Sequence, residues 1–132
     1  MARIMLVDDE KDVGRTYELI LKNHGFDVDY FTDSTMALEH FKPNLYDLTI
    51  LDINMPDLNG FKLYDQLKSR DSKTKTLFIT ALNSVESYNT ENKKVYPTRG
   101  QRHFIKKPVS MDQLLGQVYS LLVPEDENEQ VM

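Results

Sequence analysis

Short runs of apolar residues alternate along this chain with segments of helical period, and that alternation confines it to an α/β sheet with parallel strands. Ile4–Val7 is continuously apolar, as a strand buried on both faces must be. From about Asp12 to His24, the residues Val13, Tyr17, Ile20, Leu21 and His24 recur near one face of a helix. Gly25 then falls where a closing glycine is expected. Phe26–Tyr30 alternates apolar and acidic residues, which predicts a half-exposed edge strand. Ser34 is placed to cap a short helix burying Ala37, Leu38 and Phe41, with Pro43 beyond its end. Leu48–Leu51 is a third strand and runs into Asp52. A helix from Gly60 to about Lys68 turns Phe61, Tyr64 and Leu67 inward. Thr76–Thr80 reads as the fourth strand and His103–Ile105 as a short fifth. Ser110 and Gln113 form a capping box. The box opens a last helix that buries Leu114, Leu115, Val118, Leu121 and Leu122 and stops before Pro124.

Strands that alternate with helices pair in parallel through right-handed crossovers. Ligands of such sheets bind outside the carboxyl ends of the strands. Polar residues collect at those ends: Asp8 and Asp9 after the first strand, Asp52 after the third, Thr80 after the fourth, Lys106 and Lys107 after the fifth. Carboxylates gathered at one edge repel one another unless a cation neutralises them. An oxygen-only set of two or three carboxylates with waters suits magnesium. A carboxylate such as Asp52, on a different strand from the pair, can also attack phosphorus to form an acyl phosphate. Thr80 can hydrogen-bond a phosphoryl oxygen, and a lysine can meet another as a point charge.

The length of 132 residues fits one domain. No cysteine is present, which excludes disulfides and thiolate metal sites and fits a reducing cytoplasm. No stretch approaches the roughly 18 apolar residues of a membrane span, and the N-terminus reads as a strand, not a signal peptide. A net charge of −5 argues against general affinity for nucleic acid. Asn92–Pro108 carries bases and no acid, and reads as solvated surface or as a docking face for an acidic partner. His24 is expected to cap or pack, His40 to lie on the surface, and His103 to sit among bases; none is paired with a nucleophile.

Four ordered motifs resemble the receiver domain of two-component response regulators. They are Leu6-Val-Asp-Asp-Glu10, Leu51-Asp-Ile-Asn-Met-Pro56 with Gly60 downstream, Ile79-Thr-Ala81, and Phe104-Ile-Lys-Lys-Pro108. The resemblance runs from about Arg3 to Val123. It implies a flavodoxin-like, doubly wound sheet of five parallel strands in the order 2-1-3-4-5. The receiver domain would occupy residues 1–123, and an acidic, disordered tail residues 124–132. Asp52 would be the phosphoacceptor. Asp9 and Asp52 would ligate Mg2+ directly, Asp8 mainly through water, and Asn54 through its backbone carbonyl. Lys107, immediately before Pro108, would contact the phosphoryl group, and the bond between them would be cis, as is frequent in the family. Thr80 would be the switch hydroxyl and Phe104 the switch aromatic. The partners implied are a sensor histidine kinase or a phosphotransfer protein and a protein target, with neither DNA nor membrane bound directly. Two copies would pair through the face made by the helix after the fourth strand, the fifth strand and the last helix.

The sequence departs from the family between Thr80 and Lys107. That stretch is long and lacks the small Gly-Ala pair common before the fifth strand; its polar part, Asn83–Lys94, has only Val85 and Tyr88, with Val95 just beyond, as sizeable apolar anchors, and Pro97 and Gly100 then interrupt it. An irregular helix is therefore expected there. Phe104 stands where tyrosine is frequent and can act only through packing. Two other readings compete with the switch: a degenerate receiver serving as a constitutive interaction module, and a metal-dependent phosphatase with Asp52 as nucleophile. The phosphatase needs a general acid two residues after the nucleophile, where this chain has Asn54.

Overall fold

A computed structural model describes residues 2–56, 58–80 and 104–123, with Thr80 represented by its backbone. The strands are β1 (Arg3–Val7), β2 (Asp27–Phe31), β3 (Leu48–Asp52), β4 (Lys75–Thr80) and β5 (Phe104–Lys106). The helices are α1 (Lys11–Asn23), α2 (Ser34–His40), α3 (Gly60–Arg70) and α4 (Met111–Leu122). All strand pairs are parallel, in the order β2-β1-β3-β4-β5. The irregular helix expected between Asn83 and Lys94, His103 and the acidic tail lie outside the described residues.

The continuous apolar runs follow from burial on both faces. Ile4, Leu6, Leu48, Ile50, Leu77 and Ile79 meet Tyr17 and Leu21 of α1 and Leu114, Val118 and Leu121 of α4. Met5, Val7, Leu51 and Phe78 turn the other way, against Ala37 of α2 and Phe61, Leu63 and Leu67 of α3. Successive side chains on a strand point to opposite faces, so one run of sequence feeds two cores. β2 lies at the edge and buries only Val28.

The helix ends show why the elements stop where they do. At the end of α1, Gly25 has φ 90°. Its N–H reaches Lys22 O at 3.0 Å, and the Phe26 N–H reaches Leu21 O at 3.2 Å. Phe26 is thereby spent closing the helix, and β2 begins one residue later than the alternation predicts. Ser110 and Gln113 make the predicted capping box on α4.

Ser34 is not the cap of α2. Asp33 takes that role, its carboxylate accepting from Thr35 and Met36 N–H. The ionised side chain is the stronger acceptor at a helix N-terminus. Ser34 is buried instead, and its hydroxyl donates to Leu58 O at 2.6 Å. Leu63, not named among the inward residues of α3, is fully buried, whereas Tyr64 is half-buried. His24 is exposed, with Nδ1 2.9 Å from Ile20 O, in keeping with a cap.

Candidate functional site

Register brings the predicted residues to one edge. Val7 pairs with Leu51, Asp52 with Ile79, and Thr80 with Lys106. Asp8, Asp52 and Lys107 therefore leave the ends of β1, β3 and β5 on the same side.

Asp8 is 1% exposed and Asp52 is 3% exposed, each just past the last residues of an apolar run. The Asp8 N–H donates to Phe31 O at 3.1 Å, and its Oδ1 accepts from the Glu10 N–H at 2.9 Å. Asp52 Oδ1 accepts from the Asn54 N–H at 3.2 Å. The loop after Asp52 is held by Ile53 N–H to Ile79 O at 3.2 Å and by Gly60 N–H to Ile53 O at 3.0 Å. Lys107 reaches in from the far side of the sheet, and its bond to Pro108 is cis. Its Nζ lies 3.3 Å from Asp8 Oδ2, 3.3 Å from Asp52 Oδ2 and 2.7 Å from Glu10 Oε1.

These contacts set the charges. Burial, followed by the neighbouring Asp8 carboxylate, pushes Asp52 up to about 7, against the opposing pull of Lys107. Burial also raises Asp8, countered by the Glu10 N–H and Lys107. For Lys107, burial disfavours the ammonium, yet Glu10, Asp52 and Asp8 outweigh it and hold the pKa above the ordinary lysine value. A carboxylate with a raised folded-state pKa binds protons that the unfolded chain has released. Between about pH 4 and 7, Asp52 therefore subtracts stability as the pH rises.

Carboxylate oxygens of Asp8, Glu10 and Asp52 lie within 4.8 Å of one another. Among the described residues, Asp8 Oδ2 is buried with no hydrogen-bond donor aligned on it, and the Lys107 ammonium stands 3.3 Å away as an ion pair. A hard divalent cation fits such an oxygen set. Asp9 is half-buried and stands outside that compact group; Asn54 is exposed at the loop that follows Asp52. Thr80 closes β4 opposite Lys106, and its side chain lies outside the described residues. Lys106 is exposed at the strand end, whereas Lys107 enters the cluster. Phe104 is half-buried, its ring stacked on Phe78 at 5.1 Å and 6.4 Å from Phe61.

Glu10 was given no role by the sequence motifs, although it directly follows the acidic pair. It is the N-cap residue of α1 but makes no side-chain cap, because its carboxylate is turned onto Lys107. Three consecutive acids at a strand end were the available signal.

A parallel α/β sheet that gathers acids around one lysine at its carboxyl edge defines a class: open-sheet proteins that handle charged groups at that rim. A family model for the response regulator receiver domain matches residues 4–119. The chain is 31% identical to the response regulator ArlR of Staphylococcus saprophyticus over 92% of its own length and 53% of that protein. It is 32% identical to the transcriptional regulatory protein TrcR of Mycobacterium tuberculosis over 91% of its own length and 45% of that protein. It thus spans about half the length of these relatives. Its fold is similar to the non-phosphorylated HemR receiver domain from Leptospira biflexa, with TM-score 0.76, 25% identity, and coverage of 94% of this chain and 96% of that one. The chain belongs to the response regulator receiver domain family of two-component systems, whose members are phosphoacceptor switches. Among the described residues, no helix is long and apolar enough to cross a membrane.

Proposed function

We propose that this chain works in the cytoplasm as a phosphorylation-activated receiver, taking a phosphoryl group on Asp52 from the phosphohistidine of a sensor histidine kinase or phosphotransfer protein. The observation that carries this reading is the Lys107 ammonium 3.3 Å from the buried carboxylate of Asp52, with Asp8 beside both. Asp8, Asp9, Asp52 and the backbone carbonyl of Asn54 would hold Mg2+. Bound there, the cation would neutralise the facing carboxylates and the charge that develops on the phosphoryl oxygens.

A carboxylate oxygen of Asp52 attacks phosphorus. The P–N bond of the donor breaks, its electron pair stays on the imidazole, and that nitrogen is left to take a proton. Lys107 offers its ammonium to a phosphoryl oxygen and gives up part of its contact with Asp52. The new group adds roughly two negative charges at the rim. Thr80 answers it from the end of β4, and Phe104 repacks against Phe78 and Phe61. The population shifts between two packings of the face that meets a protein target. Hydrolysis of the acyl phosphate resets the switch.

Intact mass after incubation with Mg2+ and a small acyl-phosphate donor tests this reading. The expected result is a gain of one phosphoryl group that persists for minutes, requires Mg2+ and is absent in Asp52→Asn. No gain at any Mg2+ concentration would support the constitutive interaction module, and rapid multiple turnover of phosphate esters would support the phosphatase.

A further inference from the structure

The acidic loop is pinned by a residue that lies far from it in sequence. Tyr30, near the end of the edge strand β2, donates its hydroxyl to the Asp8 main-chain carbonyl at 2.8 Å. That carbonyl belongs to the peptide that joins Asp8 to Asp9, the two acids at the end of β1. Tyr30 can stand there only because residue 14 has no side chain. A Cβ on Gly14 would lie 2.1 Å from the Tyr30 hydroxyl oxygen and 2.2 Å from its ring. Gly14 sits in the first turn of α1, with its N–H on Glu10 O at 2.8 Å. Tyrosine and glycine thus form a complementary pair: the ring occupies the gap in the helix, and the hydroxyl reaches across to the loop.

Asp8 is in consequence fixed at three points. Its N–H is held by Phe31 O, its Oδ1 by the Glu10 N–H, and its carbonyl by Tyr30. The plane of the Asp8–Asp9 peptide decides where the chain leaves β1 and hence where the Asp9 and Glu10 side chains start. Without the hydroxyl, this carbonyl would lose its donor and the peptide would be free to tilt.

We infer that Tyr30 is a positioning residue for the cation site, holding the Asp8–Asp9 peptide in the orientation that presents the acidic loop to Mg2+. The inference rests on the phosphoacceptor reading of the site. Burial pushes the Tyr30 hydroxyl up to about 12, so it remains a donor through the neutral range. Preorganised ligands bind more tightly because the ordering cost is met before the ion arrives.

Tyr30→Phe keeps the ring over Gly14 and removes only the hydroxyl. Mg2+ binding to the full chain, followed by titration calorimetry at 25 °C, should weaken about fivefold, the factor expected for one hydrogen bond. The amides of Asp9 and Glu10 should exchange hydrogen faster, while those of β3 and β4 keep their protection. A second variant, Gly14→Ala, evicts the ring and should weaken Mg2+ binding at least as much. Adding Tyr30→Phe to it should bring no further loss. A lower melting temperature with unchanged Mg2+ affinity and unchanged Asp9 and Glu10 exchange would assign Tyr30 to fold stability and overturn the inference. If the unaltered protein binds no Mg2+, the reading of the site fails and the role of Tyr30 falls with it. Equal binding by the unaltered protein and Tyr30→Phe overturns only the latter.

Discussion

Lys107→Ala should cost the Mg2+-free protein about 3–5 kcal/mol of stability at pH 8, the usual penalty for removing one partner of a buried ion pair. The lysine is the only cation among the described residues that meets the buried carboxylates of Asp8 and Asp52, each 3.3 Å from its Nζ. Without it, two acids in a dry corner face each other with no compensating charge. The loss should shrink as the pH is lowered towards 5. Asp52 already lies at about 7 with the ammonium present, so both acids would take up protons readily once it is gone. The raised pKa of Lys107 keeps the ammonium itself charged across this range, so the pH dependence of the loss comes from the acids, and the lysine's own titration matters only above the ordinary lysine value. Asp52→Asn should move oppositely, gaining stability at pH 8 and losing the advantage as the pH falls from about 7 towards 4. Urea denaturation in the presence of a chelator measures both; an equal loss for Lys107→Ala at pH 8 and pH 5 would contradict the electrostatic account.

Gly60→Ala carries the next largest effect. A Cβ there would stand 2.4 Å from the Asp52 carbonyl oxygen and 2.8 Å from the Ile53 Cα. Both are backbone atoms at the end of a fully buried strand, so neither yields as the end of a flexible side chain would. The expected cost is about 3 kcal/mol, the upper part of the range for overpacking a tight site. Phosphoryl acceptance should slow as well, because relief of the clash displaces Asp52, the acceptor proposed above. Gly116→Ala is the matching control. No atom lies within 4 Å of its added Cβ, and it sits on the exposed side of α4. Higher helix propensity should make that variant about 1 kcal/mol more stable. Comparable thermal melting of the two variants would show that the Gly60 contact is not tight.

What the sequence conveyed and what it withheld divide along a physical line. Contiguous burial writes itself into sequence, so Ile4–Val7 and Leu48–Leu51 were legible as strands, and the alternation of Phe26–Tyr30 marked the edge. The Ser110–Gln113 box was legible because capping is local. Asp33 and Ser34 were exchanged because both are good capping types, and only the distant Leu58 carbonyl, which takes the Ser34 hydroxyl, shows which one turns inward. Glu10 meets Lys107 across 97 positions, and Tyr30 meets Asp8 across 22; no local pattern encodes either contact. The sequence pattern gave Gly14 no role, and its purpose emerges only when the Tyr30 ring is seen in the space a side chain would fill.

The measurement that bears most directly on the central claim is the location of the phosphoryl group itself. After phosphorylation with Mg2+ and a small acyl-phosphate donor, borohydride reduction converts a phosphorylated aspartate to homoserine, and peptide mass spectrometry finds it. Convergence of Asp8, Asp52 and Lys107 on one rim predicts homoserine at position 52 and at no other acid. Homoserine at Asp8 or Asp9, its Glu10 counterpart, or a phosphoryl group carried on a histidine would contradict it.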